Sequence, residues 1–309
     1  MLRLIVPSNQ FNSLIPLFWT AKYSQLHRDA HLLYSIKVSN LSGVTFAYSQ
    51  SDFFRSPGRA TFGGFWPSVG NQKVDKENAL LAYTNFINEF PLQKEFKIVL
   101  PPEIFVPEVF NPQREALLEF QLRNCIVDIN YHVEIENWSR KRLSKGNRKK
   151  IRQFMELGGS ISYASSRDII ECYEVLVQNR RRREVSLSMT YQDFERSLLL
   201  LNDCFSLIRA SVHGKIIATA YIVKILPSYW YVLYWGELPE FRSLSPVAAI
   251  YDFIVNQSLC NNVEILDLGI STVNGVLDEG LARFKSNLGA VATKKMTLIL
   301  DLNPIAKQK

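Results

Sequence analysis

The order of strand and helix patterns in the second half of the chain is the strongest constraint on the fold. From about residue 159 onward, the sequence predicts a strand, two helices, three antiparallel strands, a helix, a strand, a short helix and a final strand. His213-Gly214 is predicted as the turn between the first two antiparallel strands. We therefore predict an α/β (α+β) fold in which helices pack on mixed sheets.

The first half of the chain has a similar but less clear rhythm. Two apolar segments, HLLYSIKVSN and GVTFAYSQ, are predicted as a hairpin that turns at Ser42-Gly43. The Gly- and Pro-rich residues 53–67 are predicted as a loop, and the pattern ENALLAYTNFINEF predicts a helix. A second helix is predicted to begin with Asn111 as its N-cap and Pro112 at its first position.

A charged segment, WSRKRLSKGNRKKIRQF, lies between the two halves. It predicts a basic helix, interrupted at Gly146, that ends near Gly158-Gly159. We place a domain boundary at this segment and predict domains 1–137 and 138–309. The chain has 309 residues, which is enough for two domains of ordinary size.

The composition indicates a globular protein with acidic partners. Hydrophobic residues make up 47% of the chain, which excludes a disordered protein. The net charge of +7 favours phosphates, nucleotides, anionic surfaces or RNA as partners, without choosing among them. The basic segment 140–152 and the four arginines at 180–183 have two interpretations, an RNA-binding surface or ordinary solvated faces.

The sequence lacks the spacings of common metal and nucleophile sites. The four cysteines lie far apart with no CxxC pair, so we expect reduced free thiols. His27 and His31 are four residues apart but have no evident third ligand, so we expect no metal site. We also expect no signal peptide, no membrane span and a cytoplasmic location, because no run approaches the roughly 18 apolar residues of a span.

The segment WGELPEFRSLSPVAAIYDFIV is the strongest local candidate for a binding site. A predicted strand ends at Gly236 and Glu237, and a polar loop leads into a helix with Pro246 in its first turn. Free N–H groups at a helix start favour an anion, and Arg242 can add charge-assisted hydrogen bonds. One interpretation is a pyrophosphate or carboxylate site, and the other is a capped helix with a surface arginine.

Four segments together resemble the GNAT superfamily of acyltransferases. They are LSKGNRKKIRQFMELGGSI, HGKIIATAYIV, FRSLSPVAAIYDFIV and EILDLGIS…GLARFKSNLGA, in this order between about Leu143 and Leu302. Within the superfamily, the chain looks most like the Fem-type and BioF2-like branches. The resemblance implies two GNAT-like lobes, each a mixed and mostly antiparallel sheet flanked by helices.

The resemblance also implies an acyl donor and a place for its phosphates. The donor would be acetyl-CoA or another acyl-CoA, whose pantetheine arm would pair with the open edge of the strand YWYVLYWGEL. The cofactor-binding residues would be those of the loop and helix start, namely Leu238, Arg242, Ser243, Leu244, Ser245, Pro246 and Val247. The Gln/Arg-x-x-Gly-x-Gly/Ala loop of many acetyl-CoA users is absent here, which leaves the identity of the donor open.

Two residues are predicted to be catalytic. Glu237, beside the cofactor loop, is the candidate base that takes a proton from the acceptor amine, and the alternative is an exposed loop carboxylate. Lys285 belongs to the F/Y-K pair that lies in the cleft of the branches this chain resembles. There it would contact a phosphate or stabilise negative charge on the carbonyl oxygen, and the alternative is a surface lysine over Phe284. Tyr251 and Asp252 are weaker candidates.

Five further residues are predicted to bind the acceptor. Arg55, Arg59 and Trp66 lie in the first-half loop, which either clamps an acceptor or is an ordered surface loop. Asp267 and Asp278 are predicted to hold an amine or a sugar hydroxyl, or else to end a strand and cap a helix.

The resemblance leads to three functional hypotheses. The first is an N-acyltransferase that acts on a small amine, such as an amino sugar or nucleotide-linked amino sugar of a surface-polysaccharide pathway. The second is a Fem-type enzyme that transfers an amino acid from aminoacyl-tRNA to a peptidoglycan precursor. The third is a GNAT-like binding module without catalysis.

Overall fold

A computed structural model describes residues 3–4, 15–27, 32–38, 41–50, 53–67, 73–182 and 185–302. The chain divides into two compact units. The first comprises Met1–Asn130, Thr272–Leu277 and Thr293–Lys309, and the second comprises Tyr131–Ser271 and Asp278–Ala292. The first unit includes two segments from the second half of the chain, whereas the predicted domains 1–137 and 138–309 are each one continuous stretch. The domain boundary therefore stays a prediction.

The secondary structure alternates strands and helices along the described chain. The strands are β1 (Arg3–Leu4), β2 (Leu32–Val38), β3 (Leu41–Gln50), β4 (Phe53–Ser56), β5 (Phe65–Pro67), β6 (Glu95–Val99), β7 (Leu122–Glu134), β8 (Gly159–Tyr163), β9 (Phe205–Val212), β10 (Lys215–Leu226), β11 (Tyr229–Glu237), β12 (Ile265–Ile270), β13 (Thr272–Val273), β14 (Val276–Leu277) and β15 (Val291–Asp301). The helices are α1 (Ala21–Leu26), α2 (Lys76–Asn88), α3 (Pro107–Leu117), α4 (Lys145–Glu156), α5 (Ile169–Arg181), α6 (Tyr191–Leu200), α7 (Pro246–Cys260) and α8 (Glu279–Asn287).

The first unit is built on a mixed sheet with the strand order β1-β2-β3-β4-β6-β15-β7, and β5 also pairs with β3. The pairs β1–β2, β2–β3, β3–β4, β3–β5 and β6–β15 are antiparallel, and β4–β6 is parallel. Buried side chains of α2 and α3 contribute to the core, including Tyr83, Phe86 and Phe110.

The second unit is built on the strand order β7-β12-β11-β10-β9-β8. The pairs β8–β9, β9–β10 and β10–β11 are antiparallel, and β11–β12 is parallel. Helix α7 is buried along most of its length, because Ala, Ile, Val and Tyr side chains cover nearly its whole circumference. The predicted fold of two lobes, each a mixed and mostly antiparallel sheet flanked by helices, is confirmed.

Several predicted elements in the second unit are confirmed at residue level. His213 and Gly214 form the turn between β9 and β10, and both have positive φ, as a two-residue hairpin turn requires. Thr190 caps α6 and accepts a hydrogen bond from the Asp193 N–H. The predicted interruption of the basic helix at Gly146 is wrong, because α4 begins at Lys145 and continues through it.

Three predictions in the first unit are wrong, two of them because distant contacts set the local structure. Ser42 and Gly43 lie within β3, where they pair with Lys37 and Ile36, so the hairpin does not turn there. The connection falls at residues 39–40, outside the described residues. Gly43 is needed for packing, since a Cβ there would lie 2.3 Å from the Phe65 ring.

Residues 53–67 are not simply a loop, since they contain β4 and β5. Gln113 of α3 fixes β5 through two hydrogen bonds. Its Oε1 atom accepts from the Phe65 N–H (2.8 Å), and its Nε2 atom donates to the Phe65 carbonyl (2.7 Å). The predicted start of α3 at Asn111 and Pro112 is also wrong. The helix begins at Pro107, which fits the first position equally well, and Pro112 lies inside it.

Candidate functional site

A cavity of about 370 Å³ lies in the second unit, at the end of β11. It is bordered by residues from β11, the start of α7, α4, the end of α5 and the start of α8. They are Lys150, Asn179, Arg182, Trp235, Gly236, Glu237, Arg242, Ser245, Val247, Asp278, Gly280, Leu281 and Phe284. The Trp235 and Phe284 rings meet edge to face, with centroids 5.6 Å apart.

Strand β11 leaves its parallel partner before it reaches the cavity. The register with β12 comprises Tyr229↔Ile265, Trp230↔Leu266 and Tyr231↔Asp267, and β11 continues from there to Glu237. Along this last part β11 is paired with β10, as far as Ala218↔Glu237. The two central strands therefore separate as the resemblance implied, and the backbone groups on the β12 side of β11 face the opening.

A close contact between α5 and β11 fixes the position of Glu237. The Asn179 side-chain amide donates to the Glu237 carbonyl (3.1 Å). A Cβ at Gly236 would lie 2.8 Å from the Asn179 Cβ, so only glycine lets the helix approach this closely. Asn179 and Trp235 were missed by sequence analysis, and Gly236 at the end of an apolar strand was the one available signal of a close approach.

Glu237 is half-buried where it lines the cavity, and its Oε2 atom is itself buried. Its Oε2 atom has no hydrogen-bond partner among the described residues. Burial raises the pKa of this carboxyl to about 7, while the Val247 N–H and the charges of Arg242, Lys150 and Arg182 oppose the rise. Burial therefore outweighs three nearby cations, and the carboxyl is poised to exchange a proton near neutral pH.

The backbone at the start of α7 has a left-handed conformation that is uncommon for a residue other than glycine. Ser245, at the N-cap, has φ 49° and ψ 55°, and its side chain makes no capping hydrogen bond. Counting from Arg242, Ser245 occupies the position of the first glycine in the Arg-x-x-Gly-x-Gly/Ala pattern, and Val247 occupies the second. Ser245 thus adopts the left-handed conformation that glycine favours. At the second position, Val247 adds a side chain to the cavity lining.

Three of the seven predicted cofactor-binding residues line the cavity, namely Arg242, Ser245 and Val247. The other four, Leu238, Ser243, Leu244 and Pro246, belong to the same 3₁₀ turn and helix start but are not part of the lining. Their predicted role in binding a cofactor stays a prediction.

Lys285 does not line this cavity. Its side chain is only 2% exposed, and its ammonium donates to the carbonyls of Gly269 (2.8 Å) and Ile270 (2.7 Å) at the end of β12. The ammonium also lies 5.8 Å from the centroid of the Tyr131 ring. Lys285 therefore ties α8 to β12, while its neighbour Phe284 faces the cavity. Its predicted catalytic role stays a prediction.

The two predicted aspartates lie in different surroundings. Asp278 lines the cavity and caps α8, accepting a hydrogen bond from the Leu281 N–H (2.9 Å). Asp267 is fully buried and accepts hydrogen bonds from the Tyr229 hydroxyl (2.5 Å) and the Gly269 N–H (2.7 Å). Only Asp278 is placed to meet a ligand in this cavity.

Tyr251 and Asp252, the weaker candidates, are not part of the cavity lining. Tyr251 is buried in α7, as expected for the apolar stripe. Asp252 forms an ion pair with Arg140 (3.3 Å), and burial raises its pKa.

The remaining predicted acceptor residues lie in the first unit. Arg55 donates to the Gly58 carbonyl (3.2 Å) and lies over the Tyr48 ring at 5.5 Å. Arg59 is exposed, and its carbonyl accepts a hydrogen bond from the Tyr23 hydroxyl. Trp66 is in β5 and its ring lies 6.1 Å from that of Trp19. Their predicted role in acceptor binding stays a prediction.

The described residues form neither a metal-binding cluster nor a membrane-spanning helix. No group of three or more His, Cys, Asp or Glu residues in this part of the chain is arranged to hold a metal ion. Among the helices of the described ranges, none has the length and apolar character needed to cross a membrane.

Comparison with solved structures identifies the fold. FemX matches over 91% of each chain, with a TM-score of 0.65 and 12% identity. L-PGS from Bacillus licheniformis matches over 89% of this chain and 85% of that chain, with a TM-score of 0.57 and 12% identity. A tandem GNAT protein from the clavulanic acid biosynthesis pathway matches over 89% and 84%, with a TM-score of 0.52 and 8% identity. No family model matches the sequence, and no curated protein matches it either.

These likenesses extend over both units and show a GNAT-like fold of the Fem type. The fold predicted from the four sequence segments is therefore confirmed. At identities of 8–12%, the comparisons establish the architecture alone.

Replacing Lys285 with Met tests its structural contact. We expect the free energy of unfolding to fall by about 3 kcal/mol, because two carbonyls lose a charged donor in a buried place. Urea titration followed by circular dichroism measures the change. Arg283→Met, on the exposed side of the same helix, is the control and should shift stability by less than about 0.5 kcal/mol. Equal stability of the two variants would contradict the buried contact.

The raised pKa of Glu237 predicts a pH-dependent stability. The folded protein holds this proton up to about pH 7, whereas the unfolded chain releases it near 4.5, so stability falls as pH rises between these values. Glu237→Gln keeps the shape without the proton. The stability of this variant relative to the native protein should therefore improve by roughly 3 kcal/mol from pH 4 to pH 8. Urea titrations at both pH values decide this, and a pH-independent difference would show that the carboxyl is not perturbed.

Proposed function

We propose that the cavity of the second unit is the active site of an N-acyltransferase, with Glu237 as its general base. The observation that carries this proposal is the buried carboxyl at the end of β11, with its free Oε2 atom and a pKa near 7. A base of this pKa is partly ionised at neutral pH, so it can accept a proton and still return it. The GNAT-like, Fem-type fold supports the same reaction class.

The chemistry requires two proton transfers and one exchange of bonds. The acceptor enters as an ammonium ion, and Glu237 takes a proton from it, directly or through water, to expose the nitrogen lone pair. The nitrogen attacks the acyl carbonyl carbon, the new C–N bond forms, and the bond from carbon to the leaving thiolate breaks. The nitrogen then carries two protons, of which one passes to the leaving thiolate or to water and the other stays on the product amide. The protein contributes mainly orientation and the base.

The donor that we propose is an acyl thioester such as acetyl-CoA. Its extended arm would pair with the open edge of β11, where the strand has left β12. Arg242 at the cavity mouth would bind its phosphates. Ser245 supports this placement, because it has the backbone conformation of the glycine that stands at this position in many acetyl-CoA users.

The acceptor that we propose is a small amine that carries a negative group, such as a nucleotide-linked amino sugar. Lys150 and Arg182 line the same cavity as Glu237, so an acceptor could place its amine at the carboxyl and its phosphate at the cations. Asp278 and the paired rings of Trp235 and Phe284 would contact the sugar.

Calorimetric titration with acetyl-CoA, and separately with free CoA, at two salt concentrations tests the donor. We expect binding that weakens with salt, and Arg242→Ala should weaken it by roughly tenfold or more, because a charge-assisted hydrogen bond is lost. Arg196→Ala, an exposed arginine of α6 outside the cavity lining, should leave the affinity unchanged. If neither ligand binds the native protein, the thioester donor is refuted.

The pH dependence of the reaction tests the base. With saturating acetyl-CoA and a panel of amines and amino sugars, thiol release should rise about tenfold per pH unit below pH 7 and then level off. Glu237→Gln should lower the rate by roughly a hundredfold or more. Glu240→Gln is the matched control, because this exposed carboxylate lies nearby in the 3₁₀ turn but pairs with Lys215 outside the cavity. A Glu237→Gln variant with the native rate would refute the assignment.

A second candidate is the transfer of an amino acid from aminoacyl-tRNA, and Val247 favours it. Val247 replaces the small residue of the acetyl-CoA loop, and its N–H is directed at the Glu237 carboxylate, so a phosphate there would compete with the protein's own carboxyl. This candidate predicts no binding of CoA and measurable deacylation of charged tRNA.

The third hypothesis is a binding module without catalysis. It predicts ligand binding that survives Glu237→Gln, and no turnover by the native protein or by this variant.

A further inference from the structure

Strand β8 ends the strand order of the second unit, so it has a neighbouring strand on one side only. On that side it pairs with β9 along its whole length, from Gly159↔Val212 to Tyr163↔Ile208. On the other side, no strand of the described residues pairs with it. An edge strand of this kind presents a row of N–H and C=O groups that can form hydrogen bonds with another strand.

The ladder between β8 and β9 identifies which backbone groups face outward. The Ala164 N–H, just after β8, donates to the Leu207 carbonyl of β9 (2.8 Å). Hydrogen-bonded and non-hydrogen-bonded pairs alternate along an antiparallel ladder, so the two serines of β8 also bond to β9. The N–H and C=O groups of Gly159, Ile161 and Tyr163 therefore point away from β9, and they bond to no other described residue.

Strand β8 lacks the features that keep many edge strands from pairing. Its sequence, GSISY, contains no charged residue and no proline, and its register with β9 has no bulge. Ser160, Ser162 and Tyr163 are exposed, so a partner can reach the strand. The edge is therefore open to a further strand.

The edge of β8 is complementary to itself. Its outward-facing residues are spaced symmetrically about Ile161, so a two-fold axis there places each N–H of one copy opposite a C=O of the other. In this antiparallel register Ile161 faces Ile161 of the second copy. Each Ser160 faces a Ser162, and each Gly159 faces a Tyr163. No like charges oppose each other across the two strands.

Exposed apolar side chains lie at both ends of β8. Leu157, at the end of α4 and two residues before the strand, is 49% exposed, and Tyr163 is 45% exposed. In the two-fold register, the Tyr163 end of one copy meets the Leu157 end of the other. Removing these side chains from water would add to the free energy of the backbone hydrogen bonds.

The Tyr163 side chain is already held in place, so pairing costs little ordering at this position. Its ring meets the Phe253 ring of α7 edge to face, with centroids 5.7 Å apart. Its hydroxyl donates to Oε1 of Gln257 (3.3 Å). Strand β8 itself is fixed by its five-residue ladder with β9.

We propose that β8 is an interface between two copies of this chain, which join edge to edge in one continuous antiparallel sheet about a two-fold axis at Ile161. Three residue pairs would each exchange two hydrogen bonds across the axis. The self-complementary register favours a second copy over a strand of another protein. The proposal does not depend on the acyl-transfer reaction, and no step of its test measures turnover.

Sedimentation equilibrium of the full chain over a range of concentrations tests the proposal. We expect a reversible equilibrium between monomer and dimer. Ile161→Pro removes the central outward N–H and leaves the hydrogen bonds to β9 in place, so it should weaken association by about tenfold or more. Circular dichroism and thermal melting show whether this variant is folded.

Charges at the two exposed serines test the register without touching the core. Ser160→Lys, Ser162→Lys places lysine opposite lysine in the two-fold register and should weaken association by about tenfold or more. Ser160→Lys, Ser162→Glu places each lysine opposite a glutamate, so this variant should associate at least as tightly as the native protein. The control Ser186→Lys, Ser286→Lys adds the same charge at exposed serines outside β8 and should leave association nearly unchanged.

Three results would overturn the proposal. The first is a native protein that stays monomeric at the highest concentration it tolerates, which would leave the β8 edge to solvent or to a strand of another protein. The second is a dimer that both Ile161→Pro and Ser160→Lys, Ser162→Lys leave intact, which would place the interface elsewhere. The third is an equal loss of association in Ser160→Lys, Ser162→Lys and in the control, which would indicate repulsion by net charge alone.

Discussion

The burial of one carboxyl group, that of Glu237, is the constraint on which the candidate site depends. A lone carboxylate is costly to remove from water, and here three nearby cations and one backbone N–H do not fully offset that cost, so its pKa rises to about 7. Only a rigid surrounding can maintain such a position. The contact of Asn179 with Gly236 and the Glu237 carbonyl provides this rigidity, because it joins α5 to the end of β11. The raised pKa of this carboxyl thus depends on a packing contact outside the carboxyl group itself.

The separation of β11 from β12 opens the space beside this carboxyl. After the pair Tyr231↔Asp267 the two strands no longer share hydrogen bonds, although β11 stays paired with β10 as far as Glu237. The end of β12 is stabilised separately, since Asp267 accepts the Gly269 N–H and Lys285 donates to the carbonyls of Gly269 and Ile270. The opening therefore lies beside the edge of β11 that has left β12, while the end of β12 is held by these other groups. A ligand can enter without breaking a sheet hydrogen bond.

Local sequence patterns predicted the elements that local interactions form. The turn at His213-Gly214, the cap at Thr190 and the strand that ends at Glu237 depend on neighbours in the chain, and all are found in the structure. The predictions fail where contacts with residues distant in the sequence determine the local structure. Gly43 looked like a turn residue, but the Phe65 ring requires it within a strand. Asn179 carried no signal of its own, because its importance comes from Gly236, 57 residues further along. The burial of Lys285 likewise depends on strand carbonyls at a distance.

The backbone at the start of α7 bears on the identity of the donor. The glycine pattern that is missing from the sequence is partly present in the backbone, because Ser245 adopts the left-handed conformation without being glycine. A sequence pattern stands for a backbone shape, and the shape can persist when the residue changes. Val247 is different, since its added side chain and the direction of its N–H toward Glu237 alter the surface that a phosphate would meet. Ser245 therefore keeps the backbone shape of the acetyl-CoA loop, whereas Val247 departs from that loop. Both observations are compatible with the donor that we propose if its phosphate lies at Arg242, because the N–H of Val247 then remains with the Glu237 carboxyl.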